Sequence, residues 1–265
     1  MSDGDRIPTN LRTLLILEIL GQSDRAMTAT EINEQLGLPK QTVHRLCSTL
    51  EQEGFLTRQG NSRRFQPARR LRALGTGLLH SSQLHIARHQ ILIDVAKQVR
   101  ETVNFVVPEA EGMSYLDRVE TDWMFRIQLP VGTHVPFHCT ASGKCFMASL
   151  PPKARKSIVA SLRMDQLTPD THANEDSLLA ELKQIAKQGY SLDQEEFLEG
   201  MVAIAVPVTD ASGRFVAALA FHGPTQRLGV DDLVERKGVL QDAAIRIRDA
   251  LYSEDVGSPD QSDDT

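Results

Sequence analysis

The stretch LGLPKQTVHRLCSTLEQEGFL, residues 36–56, sets a Gly-Leu-Pro turn before a run of mixed polar and apolar residues. Gly37 suits the left-handed conformation that ends a helix, and Pro39 suits the start of the next one. Val43, Leu46, Cys47 and Leu50 then fall three and four apart, making the apolar stripe of a helix that stops at Gly54. Gln41, Thr42, His44, Arg45, Ser48 and Thr49 lie off that stripe. Upstream, MTATEINEQLG carries a capping-box pair, Thr28 and Glu31, with Ile32 and Leu36 on one face. Before it, NLRTLLILEILGQSD has Leu11, Leu14, Leu15 and Ile19 at helical spacing, with Gly21 as the expected stop. Downstream, FLTRQGNSRRFQP predicts two short strands around a Gly-Asn-Ser turn. Three short helices and a basic hairpin describe a winged helix-turn-helix.

Charge bears on what such a module touches. The chain has a formal net charge of −6, yet residues 40–72 hold eight basic side chains against two acidic ones. A basic block on an acidic chain fits a local polyanion contact, and it also fits an ordinary solvated surface. The coincidence of turn, polar-plus-basic helix face and basic wing favours DNA. Gln41 suits adenine and Arg45 suits guanine in a major groove, and Lys40, Thr42 and His44 stand beside them for bases or phosphates. Arg63 and Arg64, at the hairpin tip, are placed for phosphates or a minor groove. One module with so few cations binds weakly, so a dimer reading two half-sites is expected.

The 265 residues are 41% hydrophobic and 24% charged, an ordinary soluble composition. No apolar run has the length of a membrane span, and MSDGDRIPTN lacks the order of a signal peptide. Cys47, Cys139 and Cys145 form no C-x-x-C pair, so a cytoplasmic protein with free thiols and no cofactor is expected. After the wing, a connecting helix, an interruption near Ser81-Ser82 and a second helix are predicted. TVNFVVPEAEGMSYLDRVET then reads as two strands, and WMFRIQLPVG as another. TASGKCFMASL, PPKARKSIVASL and EDSLLAELKQIAKQG read as helices, the last stopped by Gly189. MVAIAVPVTDASGRFVAALAFHG is a strand–turn–strand unit, and DDLVERKGVLQDAAIRIRDAL a single closing helix. The acidic, apolar-poor SEDVGSPDQSDDT predicts disorder. Adjacent hairpins argue for an antiparallel or mixed sheet in the second domain.

The N-terminal stretch MTATEINEQLGLPKQTVHRLCSTLEQEGFL resembles the DNA-binding domain of the IclR family of bacterial transcriptional regulators. The likeness continues through RQGNSRRFQPARRLRALG, LPVGTHVPFHCTASGKCFMASLP and GYSLDQEEFLEGMVAIAVPVTDASGRFVAALAFHGPTQRL, about residues 10–252. It implies a two-domain α/β protein: a winged helix-turn-helix over 1–72, a connector helix over 73–81, and a GAF-like effector domain with a mainly antiparallel sheet over 82–252. A disordered tail over 253–265 completes the expected plan. The resemblance further implies a homodimer or homotetramer on a palindromic double-stranded operator, answering a small organic acid or aromatic catabolite. The amides of Ala141 and Ser142 would hold the effector carboxylate, at the positive end of a helix. Asp193, Ala203, Ala220 and His222 match the other walls, with apolar Met124, Ile127, Val135 and Met201. Ala203 stands where relatives often carry Cys, and Ala220 and His222 where they often carry Ser. A protonated His222 would strengthen anion binding; the ring could equally fill volume or pair with Asp193. Asp193 could instead cap or pair locally, Ser142 could be a plain helix cap, and the apolar four could be ordinary core.

Two rival classes remain at this level. HCTASGKC gathers His138, Cys139, Ser142 and Cys145, but it completes no catalytic motif. His134 and His138, or His85 and His89, are spaced four apart as metal ligands on a helix would be, but lack an obvious third ligand. Cys139 and Cys145 invite a redox role, although little nearby lowers a thiol pKa beyond Lys144 and the helix start.

Overall fold

The computed structural model describes residues 7–252 apart from 24, 80 and 81. The expected tail lies outside the described residues, as does part of the expected interruption at Ser81-Ser82. The chain divides into two compact units, 1–81 and 82–265.

The first unit runs α1 (Thr9–Gln22), β1 (Met27–Thr28), α2 (Ala29–Leu36), α3 (Lys40–Gln52), β2 (Leu56–Arg58), β3 (Arg64–Pro67) and α4 (Arg69–Leu79). The capping box forms: Glu31 N–H donates to Thr28 Oγ1 at 3.2 Å, and Thr28 N–H to Glu31 Oε2 at 2.7 Å. Gly37 is left-handed at φ +64°, ending α2. Asn33 then clamps the turn into α3, accepting from Leu38 N–H at 3.0 Å and donating to Leu38 C=O at 2.8 Å. Ile32, Leu36, Val43, Cys47 and Leu50 pack with Ile16 and Leu20 into one core. The two expected wing strands are joined by β1 in a three-stranded sheet, β1-β3-β2. Gly21 does not stop α1, which continues to Gln22. The helix expected from residue 73 begins at Arg69, directly after the wing.

The second unit runs α5 (Ser82–Val99), β4 (Thr102–Pro108), β5 (Met113–Val119), β6 (His134–Val135), α6 (Ala141–Ser149), α7 (Pro152–Ser161), α8 (Glu175–Gln188), β7 (Ser191–Gln194), β8 (Met201–Thr209), β9 (Phe215–Pro224), α9 (Val230–Glu235) and α10 (Lys237–Tyr252). Its six strands form one antiparallel sheet in the order β6-β5-β4-β9-β8-β7. Alternation along β4 turns Phe105 toward Arg88 of α5 and Val106 into the core under α6. Helices α5 and α10 pack together on one layer, and α6 meets α7, α8 and strands β4, β7, β8 and β9. Among the described residues, no helix is long and apolar enough to cross a membrane.

Two sequence expectations fail here. WMFRIQLPVG forms no strand. Side chains take its carbonyls instead: Arg118 binds Ile127 O at 2.9 Å, Arg227 binds Phe125 O at 2.8 Å, and Arg126 binds Trp123 O at 3.3 Å. The closing helix is two helices, broken at Arg236, whose guanidinium reaches Val99 O at 2.9 Å. Strand β7 was not foreseen, because four residues are too few to show a pattern.

Gly143 fixes the seat of α6. A Cβ there would stand 2.4 Å from Phe137 O and 2.5 Å from its Cα. Backbone cannot yield as a flexible side chain can, so Gly143→Ala should cost about 2–3 kcal/mol, read as a lower urea midpoint. An unchanged midpoint would show that α6 shifts freely.

Candidate functional site

The outer face of α3 is open. Lys40, Gln41, His44 and Arg45 are exposed and Thr42 is half-buried. Among the described residues, none of these side chains, nor that of Arg63, has a hydrogen bond or ion pair. Arg64 differs from its expected role. Its guanidinium binds Glu31 at 2.9 Å and Ala26 O at 3.0 Å, tying the wing to the start of α2. Those bonds take Arg64 out of the free charge of the wing. Arg58 is likewise engaged, by Glu51 through two hydrogen bonds of 2.8 and 3.0 Å.

In the second unit, seven of the ten expected effector positions line one small cavity: Ala141, Ser142, Asp193, Met201, Ala203, Ala220 and His222. Its volume is about 20 Å³, the space of roughly one water molecule. Thr140 caps α6, accepting from Gly143 N–H at 3.1 Å and donating to Pro136 O at 2.7 Å. The N–H groups of Ala141 and Ser142, and the Ser142 hydroxyl, have no hydrogen-bond partner among the described residues. Opposite them stands Asp193, 1% exposed. Its Oδ1 accepts from the N–H groups of Glu196 and Phe197, at 2.9 and 3.3 Å, while its buried Oδ2 has no partner. Burial, reinforced by the Glu196 carboxylate, pushes the Asp193 carboxyl up to about 7.

Of the roles open to His222, the geometry favours a neutral ring. Arg118 Nη1 donates to Asn104 Oδ1 at 3.0 Å, so Asn104 Nδ2 is the donor to His222 Nδ1 at 3.1 Å. His222 Nε2 faces Ile127 O at 3.5 Å, and Arg118 Nη2 binds that same carbonyl. The ring is therefore placed as a neutral tautomer. Burial holds its pKa down at about 4, with the Arg118 charge adding to the effect. No pairing with Asp193 forms.

The other three expected wall residues lie elsewhere. Met124 is 98% exposed, because its segment is not a strand. Val135 is buried in the core under α6. Ile127 approaches the site through its carbonyl. The sequence reading missed Asn104, Val106, Tyr115, Thr140 and Phe197, which also line the cavity. Thr140 was legible as a helix cap, and Arg118 as a charge inside an apolar strand; the rest carried no signal. A larger groove, about 610 Å³, runs between α5 and the residues following β5. It has no comparable set of buried, unpartnered polar groups, so volume alone points to the wrong place.

The structure does supply a third group to His85 and His89, namely Asp117. A cation already sits there: Arg88 donates to Asp117 Oδ2 and to His85 Nδ1, each at 3.0 Å. His134 pairs with Glu109 and His138 with Asp165 O. Burial pushes the thiols of Cys139 and Cys145 up to about 12 each, so neither is a ready thiolate.

Residues 11–60 match the sequence profile of the IclR helix-turn-helix domain, and residues 76–249 that of the bacterial transcriptional regulator IclR C-terminal domain. A probable transcriptional regulator SauR of Cupriavidus necator is 38% identical over 84% of this chain and 89% of its own. The crystal structure of the Thermotoga maritima IclR superposes with a TM-score of 0.61 at 27% identity, covering 92% of this chain and 98% of that one. The inducer-binding domain of a PobR double mutant from Acinetobacter, in complex with 3-hydroxybenzoic acid, gives 0.58 at 26% identity. It covers 63% of this chain and 98% of that one.

His222 makes stability depend on acid. Its folded pKa of about 4 lies below the ordinary 6.5, so its contribution is complete above pH 6.5 and is lost as pH falls toward 4. The loss is on the order of 3 kcal/mol. His222→Gln should flatten that part of the stability profile in urea denaturation at pH 4–7; an unaltered slope would mean that the ring protonates freely.

Proposed function

The chain belongs to the IclR family of bacterial transcriptional regulators, and on that premise we propose how its two units divide the work. It is a ligand-responsive, DNA-binding regulator and not an enzyme. The α3 face reads the operator: Gln41 and Arg45 at base edges, with Lys40, Thr42 and His44 beside them. Arg63 is the wing's contact to phosphate or minor groove, since Arg64 is held by Glu31. Two such modules, in a homodimer or a homotetramer, read a palindromic site.

The effector is a small organic acid that also carries a hydrogen-bond donor. One arrangement carries this reading: two residues with unpaired amides at the start of α6 line the same cavity as Asp193, whose buried Oδ2 has no partner. A carboxylate satisfies the amides and the helix dipole, and a hydroxyl donates to Asp193 Oδ2. The 3-hydroxybenzoic acid seen in the PobR domain has both groups. A cavity of about 20 Å³ does not admit such a molecule. Binding must therefore move what closes it, and the segment bearing Ile127 is held there by Arg118. Displacing that carbonyl gives the ligand differential affinity for two states, which is what a response requires.

A mobility-shift assay on the DNA flanking the chain's own gene, at stated salt and with a panel of carboxylates, tests the whole reading. Arg45→Ala should weaken specific binding about tenfold to a hundredfold and relax base preference at one position. Arg63→Ala should weaken all sequences alike and lower the salt dependence by about one unit of slope. No shift at low salt would contradict the DNA role. In calorimetry, Asp193→Ala should cost about tenfold or more in affinity for a hydroxy acid and little for its analogue without the hydroxyl. Equal losses for both would remove Asp193 from the contact.

A further inference from the structure

Joined to Asp193 through the Glu196 N–H lies a second cluster of charged groups. We propose that His172, Glu181 and Glu196 form a binding site for a divalent transition-metal ion of the zinc class. The three present one ligand atom each within 4.8 Å of one another, from three separate pieces of chain. His172 precedes α8, Glu181 lies within it, and Glu196 follows β7. Thr171 Oγ1 donates to Glu196 O at 2.6 Å, holding the first and last of these together.

The hydrogen bonds assign each atom a direction. Ser177 Oγ gives its proton to Asn174 O at 2.9 Å, so it accepts from His172 Nδ1 at 3.0 Å. With the proton on Nδ1, the Nε2 lone pair points at the Oε2 of Glu181, which it contacts directly, and at the Oε2 of Glu196, 3.9 Å away. Two carboxylate oxygens around that nitrogen call for positive charge, from a second ring proton or from a metal ion. A ring proton would satisfy Glu181, but at 3.9 Å it leaves Glu196 Oε2 unserved. That oxygen is buried in a residue 5% exposed, and it has no hydrogen-bond partner. A metal ion serves all three atoms at once.

Lys144 completes the design without occupying the ligand positions. Its fully buried ammonium binds the Oε1 atoms of Glu181, at 2.8 Å, and of Glu196, leaving both Oε2 atoms for the ion. Ser177 orients the imidazole as outer partners of metal ligands do. Two carboxylates and one ammonium leave a net charge of −1, which a divalent ion reverses to +1. The His172 side chain is 18% exposed and that of Glu181 26%, so water has a path to the remaining coordination positions. One imidazole and two carboxylates suit zinc or a similar ion rather than calcium or magnesium, which take oxygen alone. For four-coordinate geometry, the His172–Glu181 contact opens to about 3.3 Å, the ligand spacing around a bond length near 2.0 Å. The Asp117 cluster offers no equal case, because Arg88 fills it and every carboxylate oxygen there is paired.

The test uses the full chain, stripped with a chelator and titrated with zinc chloride by calorimetry. The expected result is one ion per chain, no heat with magnesium or calcium, and a zinc-dependent rise in thermal midpoint. His172→Ala and the isosteric Glu196→Gln should each weaken zinc a hundredfold or more, while His85→Ala leaves it unchanged. X-ray absorption on the zinc-loaded wild type should show one imidazole and oxygen ligands, which covers the case of a variant that folds poorly. Absence of stoichiometric zinc, a sulfur-containing shell, or full binding by both variants would overturn the proposal and leave His172 as a simple ion-pair partner of Glu181.

Discussion

The approach of α6 to the backbone of Phe137 is the contact on which the second unit depends. Only a residue without a side chain permits it, since a Cβ at 143 would overlap carbonyl and Cα atoms at 2.4–2.5 Å. That approach brings the first turn of α6 down against the sheet, where Ala141 and Ser142 meet β8 and β9 across a single small cavity. Had the helix sat farther out, water would have reached its amides, and an anion would have gained little by replacing it. Burial makes the helix end worth occupying: unpaired N–H groups in a dry site favour a carboxylate far more than the same groups at the surface do.

The same burial creates an electrostatic problem that the fold solves in layers. Asp193 lines the cavity and is joined through the Glu196 N–H to Glu196, Glu181 and Lys144, with the ammonium of Lys144 fully enclosed. Removing one member of such a group leaves its partners uncompensated in a medium of low dielectric, so the cluster holds α6, α8 and β7 in one geometry. On the other wall, Arg118 joins Asn104, His222 and the Ile127 carbonyl in a closed polar ring. The ring keeps His222 neutral. It also links the segment bearing Ile127, which has no regular structure, to the rigid sheet, so a ligand arriving beside His222 competes with protein groups for the same space.

Much of the first unit was legible because its signals are local. The capping box at Thr28 and Glu31, the left-handed Gly37 and the stripe from Val43 to Leu50 are each set within about two helical turns. The second unit was legible in outline, through the hairpins and the Gly189 stop. It failed where long-range bonds decide the outcome. WMFRIQLPVG has strand composition, yet arginines from β5 and from beyond β9 take its carbonyls. Arg64 reads as a free wing cation until Glu31, thirty-three residues away, is seen to hold it. His222 leaves protonation, volume and pairing open until Asn104 and Arg118 settle its tautomer. Met124 lost its place with the strand that was expected to carry it. Family resemblance placed seven cavity residues that no periodicity would have found, since small residues in a strand carry no sign of what they face.

The central claim is that a carboxylate docks on the first turn of α6 and that DNA affinity follows. Amide chemical shifts of Ala141 and Ser142, recorded on the labelled chain during titration with 3-hydroxybenzoate and a panel of small aliphatic acids, test it most directly. At least one acid should move those two amides more than any others, over the concentration range in which operator binding changes. Operator binding that responds to an acid while both amides stay still would contradict the account.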